Sequence, residues 1–122
     1  MASNRAARID GELVRCLGEI FIKDIKDPRM SRMANVTRVH ATPDLKYAKV
    51  YVSVYDDAEK VEGTFEALRS AEPFIRSRVN SMVKLRRIPT FEFVHDDSIE
   101  YSAHISKVID SLNIVKDEDT DE

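Results

Sequence analysis

Apolar residues recur at intervals of three and four through the first part of the chain: Ile9, Leu13, Cys16, Leu17 and Ile20. That spacing gathers them on one face of a helix over roughly residues 5–25, with Arg8 and Arg15 beside the stripe. Ser3 or Asn4 can cap its start. Asp27-Pro28 ends it, because a residue before proline is pushed out of the helical region. The period then changes to two. Residues 35–42 are rich in β-formers, and over residues 47–55 Ala48, Val50, Val52 and Val54 alternate with Tyr47, Lys49, Tyr51, Ser53 and Tyr55. Thr42-Pro43-Asp44-Leu45 supplies the turn chemistry between them, so the pattern predicts an antiparallel hairpin with one face on the core.

A helical period returns over roughly residues 58–85. Val61, Phe65 and Leu68 carry it before Pro73, and Ile75, Val79, Met82 and Val83 carry it afterwards. Proline lacks an N–H and its ring collides with the carbonyl four residues earlier, at a cost of about 3 kcal/mol, so a kink or a break is expected at Ala71-Glu72-Pro73, with two helices meeting at an angle the better description and one bent helix the alternative. Arg86-Arg87-Ile88-Pro89 closes this segment. Residues 90–95 form a third strand with Phe91 and Phe93 on one face. Asp97 and Glu100 are spaced as a capping box for a last helix carrying Ile105, Val108, Ile109 and Leu112. The order is α-β-β-α-α-β-α: an α+β domain with helices on one face of a three-stranded sheet.

Length and composition set the frame around these elements. The chain of 122 residues fits one domain, here residues 1–115, followed by the acidic residues 116–122, which lack a core residue and are expected to be disordered. No apolar run approaches the roughly 18 residues needed to span a bilayer, and the N-terminus lacks the apolar region of a secretory signal. With Cys16 alone there is no internal disulfide, and a cytoplasmic protein is expected. At its helical spacing Cys16 reads as a small core residue.

The net charge of −3 conceals an asymmetry. Residues 1–89 hold 17 Lys or Arg against 12 Asp or Glu, whereas residues 90–122 hold 2 against 10. A basic body can attract phosphate while an acidic tail does not. Arg76, Arg78, Lys84, Arg86 and Arg87 follow one another between Ile75 and Ile88 without an acid among them. A helical projection groups Arg76, Ser77, Asn80, Lys84 and Arg87, a face of guanidinium, ammonium, hydroxyl and amide groups suited to phosphate and to the 2′-hydroxyls of RNA. Tyr47, Lys49, Tyr51 and Tyr55 share the other face of the second strand, where they suit either base stacking or ordinary cross-strand packing.

Enzymatic chemistry has little support. Gly11, Gly18 and Gly63 are never grouped into a phosphate-cradling loop. His40, His95 and His104 lie far apart with no cysteine pairs nearby, so neither a metal nor another cofactor is expected. His95-Asp96-Asp97-Ser98 has the residue types of a hydrolase triad, but consecutive residues cannot easily converge, and a helix cap accounts for them.

Four fragments, in order, carry a family resemblance: Lys26-Asp27-Pro28-Arg29, Asp44-Leu45-Lys46-Tyr47-Ala48-Lys49-Val50-Tyr51-Val52-Ser53, Leu85-Arg86-Arg87-Ile88-Pro89-Thr90-Phe91-Glu92-Phe93 and Asp97-Ser98-Ile99-Glu100. Over about residues 5–112 the chain resembles ribosome-binding factor A, a bacterial small-subunit assembly factor family. The resemblance implies a KH-like fold of the type II order α-β-β-α-α-β. It also implies an interhelical kink where the family has Ala-any-Gly and this chain has Ala71-Glu72-Pro73. Proline in place of glycine obstructs close approach of an RNA backbone there, and Glu72 would repel phosphate.

The role implied is non-enzymatic: binding the immature small ribosomal subunit and its ribosomal RNA to promote late maturation and rRNA processing, with a link to growth in the cold. No membrane, small-molecule substrate or partner copy is implied, and a monomer is expected. Charge placement, more than motif matching, nominates Arg76, Arg78, Lys84, Arg86 and Arg87 as RNA contacts, with Arg5, Arg8, Arg29, Arg38 and Lys46 as a second group. The competing expectation is a protein-interaction module that uses the acidic C-terminal region or the tyrosine-bearing sheet face.

Overall fold

The computed structural model describes residues 2–97, with side chains from residue 5 onward. Its elements are α1 (Ala2–Lys23), β1 (Ala34–Ala41), β2 (Tyr47–Val54), α2 (Ala58–Met82) and β3 (Thr90–His95). The expected capping box at Asp97 and Glu100, the last helix and the acidic tail fall wholly or partly outside the described residues.

The three strands form one sheet in the order β1-β2-β3. β1 and β2 are the expected antiparallel hairpin, and β3 lies parallel to β2. A parallel neighbour cannot follow through a tight turn, so α2 serves as the crossover between β2 and β3. Alternation along β2 is as expected: Ala48, Val50, Val52 and Val54 are all buried. They face Leu13, Leu17 and Ile20 of α1 and Phe65, Leu68, Ile75 and Val79 of α2, with Val39, Phe91 and Phe93 from the flanking strands. Both helices thus cover one face of the sheet. On the other face Tyr47 and Lys49 are exposed and Tyr51 is half-buried, whereas Ser53 is buried.

α2 corrects one expectation. It runs unbroken from Ala58 to Met82 with Pro73 inside it, so of the two alternatives, one bent helix or two separate ones, the break is excluded. The reason lies in the stripe that crosses the proline. Leu68, Ala71, Ile75 and Val79 keep helical spacing through position 73, and all but the half-buried Ala71 are fully buried. Burying Leu68 and Ile75 in one core is worth roughly 1.5–3 kcal/mol each, enough to offset the roughly 3 kcal/mol cost of an interior proline. Pro73 itself is exposed, so its ring meets solvent instead of a neighbour.

A second correction concerns the end of the same helix. Val83 leaves the helical region (φ −131°, ψ 151°), although its N–H still bonds the Val79 carbonyl at 3.0 Å. Lys84, Arg86 and Arg87 therefore belong to the connection into β3. The face projected from Arg76 to Arg87 does not exist as a continuous helical surface.

Carboxylates on the two helices tie down the sheet's outer edges. Asp10 of α1 accepts the outward N–H of Ala41 on β1 at 3.0 Å. Glu72 of α2 accepts the N–H of Phe91 on β3 at 2.9 Å. An edge strand presents unpaired backbone groups, and each carboxylate satisfies one of them.

The loop between α1 and β1 is pinned to the first half of α2. Asp57 caps that helix by accepting the Lys60 N–H at 2.8 Å, and the Lys60 ammonium donates to the Pro28 carbonyl at 2.7 Å. The Thr64 hydroxyl accepts the Ser31 N–H at 2.9 Å, and the Ser31 hydroxyl donates to Asp56 at 2.8 Å. Gly63 permits this close approach: a Cβ there would sit 3.0 Å from the Arg29 carbonyl oxygen.

Candidate RNA interface

The cations nominated from the sequence fall into distinct places. Arg76, Arg78 and Arg29 are each paired with a carboxylate of this chain, at the surface. Arg76 donates to Glu72 at 2.8 Å, one turn earlier on α2. Glu72 is only 12% exposed, and with its other oxygen on the Phe91 amide its charge is used internally. The expected repulsion between Glu72 and phosphate is therefore largely muted. Arg78 reaches across to the turn after α1 and donates to Asp24 at 3.2 Å.

Arg29 closes a tight local ring with Asp27. Its backbone N–H and its side-chain Nε and Nη2 donate to that carboxylate at 2.9, 3.1 and 2.8 Å, and Glu66 lies 3.9 Å away. The Arg29 guanidinium, then its backbone N–H, holds the Asp27 carboxyl down at about 2. Three of the ten nominated cations thus carry charge that neighbouring carboxylates already offset.

A second set converges on a cleft of about 910 Å³. Its walls come from the N-terminal half of α1, the hairpin turn after β1 and the connection after Met82. Arg5, Arg8, Lys84 and Arg86 line it, and all four are exposed. Among the described residues none of the four has an ion-pair partner. The two acids in the cleft have partners of their own: Glu12 with Arg15 at 3.1 Å, and Asp10 with the Ala41 N–H at 3.0 Å and the His40 ring at 3.8 Å.

The hairpin turn that closes the cleft is built by its own side chains. Asp44 accepts the Lys46 N–H at 3.0 Å and the Thr42 hydroxyl at 2.7 Å, and these bonds hold its carboxyl pKa below the usual carboxylate value. Lys46 closes this turn through its backbone N–H, and its charge and that of Arg87 add weakly to the lowering. Leu45 takes a positive φ of 58°, a conformation costing a branched residue about 1–2 kcal/mol, but its side chain is buried against the cleft. Burial of the leucine is of similar or larger size and offsets that strain.

Arg38 stands apart on the open sheet face, its guanidinium 4.2 Å from the centre of the Tyr51 ring. Such stacking leaves the charge available while fixing its direction. Tyr47 and Tyr55 are each 60% exposed. Cys16 is buried in the core, and that burial pushes its thiol up, away from the thiolate a nucleophile needs. Among the described residues no group of His, Cys, Asp and Glu could hold a metal ion, and no helix is long and apolar enough to cross a membrane.

The carboxylate partners of Arg76 and Arg78 leave little trace in the sequence. Glu72 and Arg76 are four apart and could have been read as a helical ion pair. Asp24 lies in the turn after α1 and Arg78 on α2, and nothing local in the sequence joins them.

Two helices on one face of a three-stranded mixed sheet, with cations gathered at one end, define a KH-like α+β domain. Residues 5–109 match the family model described as ribosome-binding factor A, and the chain belongs to that family. The ribosome-binding factor A of Clostridium tetani is 44% identical over 119 residues, covering 98% of each chain. That of Clostridium botulinum is 46% identical over 112 residues, 92% of this chain and 93% of its own. The crystal structure of ribosome-binding factor A from Thermus thermophilus is 30% identical, with a TM-score of 0.65 over 74% of this chain and 94% of that one. A homology model of the Thermus thermophilus protein, fitted into a cryo-EM map of its complex with the 30S subunit, is 28% identical with a TM-score of 0.61, covering 72% of this chain and 91% of its own.

Proposed function

We propose that this chain is a non-catalytic assembly factor that binds the immature small ribosomal subunit through its ribosomal RNA, acting in the cytoplasm during late maturation and rRNA processing. The observation that carries the RNA contact is the cleft in which Arg5, Arg8, Lys84 and Arg86 converge without an acidic partner among the described residues. Four exposed cations around one concavity suit successive backbone phosphates. Lys46 in the hairpin turn and Arg87, next to the cleft residue Arg86 in the chain, add exposed charge, and Arg38 on Tyr51 offers a further contact on the sheet. The fitted Thermus thermophilus relative supports the small subunit as the partner.

The mechanism is differential affinity. A protein that bound mature and immature RNA equally would shift nothing between them. The factor therefore favours an RNA arrangement that precedes the translating subunit and leaves when that arrangement is lost. Sedimentation of a lysate tests this reading. The protein is expected in fractions with free small subunits and their precursors. Recovery only at the top of the gradient, even at low salt where phosphate contacts are strongest, would reject it.

A further inference from the structure

The cleft cations face a second source of negative charge within the same chain. Residues 116–122 hold Asp117, Glu118, Asp119, Asp121 and Glu122 against a single Lys116. β3 begins beside the cleft, where the Thr90 N–H bonds the Lys46 carbonyl at 3.0 Å next to the cleft residue Leu45. It runs away from there, and the Asp96 N–H bonds the Val52 carbonyl at the far end of the sheet. The way back is the length of a six-residue strand, about 20 Å. Residues 98–116 would cover about 28 Å even if every one were helical, and more in any extended form. The acidic end can therefore reach Arg5, Arg8, Lys84 and Arg86.

We infer that the acidic segment 117–122 occupies the cationic cleft as a built-in competitor for phosphate, so that weak non-specific RNA is turned away and only a target with many simultaneous contacts displaces it. The inference rests on the cleft being the phosphate site. Charge complementarity selects this occupant: the cations have no acidic partner among the described residues, and the acids of segment 117–122 are joined by only one cation, Lys116. Tethering also raises the local concentration of the acidic segment to roughly the millimolar range, which favours it over a weakly held RNA. A ligand making more phosphate contacts than the tail has carboxylates escapes this competition.

The test uses the full chain with its tail charge removed by Asp117→Asn, Glu118→Gln, Asp119→Asn, Asp121→Asn and Glu122→Gln. A labelled oligouridylate of about twelve nucleotides is the probe, because it samples phosphate binding without a structured target. The neutralised variant is expected to bind about tenfold more tightly at about 50 mM salt, with the difference shrinking towards twofold at about 300 mM. Backbone amide resonances of Arg5, Arg8, Lys84 and Arg86 are expected to shift between the two proteins in the absence of RNA. In a Lys84→Gln, Arg86→Gln background, neutralising the tail should change affinity by less than about twofold.

Equal RNA affinity for native and neutralised chains would overturn the proposal, as would an undiminished tenfold gain in the Lys84→Gln, Arg86→Gln background, which marks a long-range effect of net charge. Failure of every form to bind RNA would instead reject the cleft as a phosphate site, and the amide shifts would still decide whether the tail lies in it.

Discussion

Arg76 and Arg78 precede Lys84 and Arg86 by a short stretch of chain, and in the sequence the four read as one basic block. In the structure they do different things. Arg76 and Arg78 sit on α2, where Glu72 and Asp24 hold them at 2.8 and 3.2 Å. Lys84 and Arg86 lie beyond the helix end and meet Arg5 and Arg8 across a cleft. Counting cations along a chain measures how much positive charge is made, whereas binding depends on how much is left over after the fold has paired it. The first pair stabilises the protein's own architecture, and the second is available to an external anion.

The largest effect expected from that division is at Glu72. Glu72→Ala removes a largely buried acceptor from both Arg76 and the Phe91 N–H. Loss of two bonds of this kind should cost about 2–4 kcal/mol of folding stability, measured by urea unfolding, while the folded protein keeps its RNA affinity. A drop in affinity at unchanged stability would place Glu72 and Arg76 on the binding side of the comparison.

Gly63→Ala should come next, with a net loss of about 1 kcal/mol. Alanine favours a helix by about that amount, but the Arg29 carbonyl stands 3.0 Å from the new Cβ and the loop is held by Lys60 and Thr64, so it cannot give way cheaply. Gly18→Ala, where a Cβ meets nothing within 4 Å, should instead stabilise by up to about 1 kcal/mol. If both changes stabilised, the pinned loop would be softer than its hydrogen bonds indicate.

Arg78→Ala is expected to cost less than about 1 kcal/mol, since the pair with Asp24 is substantially solvent-exposed. The smallest effect concerns pH. Asp27 is held at about 2 by Arg29, below its unfolded value of about 3.9. Its contribution to stability is therefore complete above about pH 4 and is lost as pH falls towards 2. A carboxyl titration by NMR should give a midpoint near 2 that rises in Arg29→Ala. An unchanged midpoint in that variant would release Arg29 from the internally paired group.

Much of the fold was legible because burial and period coincide. The alternation of Ala48, Val50, Val52 and Val54, the stripe of α1 and the bounds of β3 all follow from one-dimensional spacing. α2 was misread at both of its decisive points. The local penalty of Pro73 was visible, but the long-range burial of Leu68 and Ile75 that outweighs it was not. The helix end at Met82 depends on Val83 turning towards the sheet, which propensity does not specify. For the same reason the site was legible only as a set of residue types. Which cations are neutralised depends on Asp24, Glu66 and other partners brought close by packing, and the meeting of residues 5–8 with residues 84–86 exists only in the folded chain.

Charge reversal in two matched variants, read by binding to purified small subunits at fixed moderate salt, tests the division most directly. Lys84→Glu with Arg86→Glu should weaken binding by about a hundredfold, because two phosphate contacts are replaced by repulsion, while urea unfolding changes little. Arg76→Gln with Arg78→Gln should lose stability and keep subunit affinity within about threefold once folded. The opposite pattern, with affinity lost in the α2 variant and kept in the cleft variant, would contradict the account and return the interface to the helix.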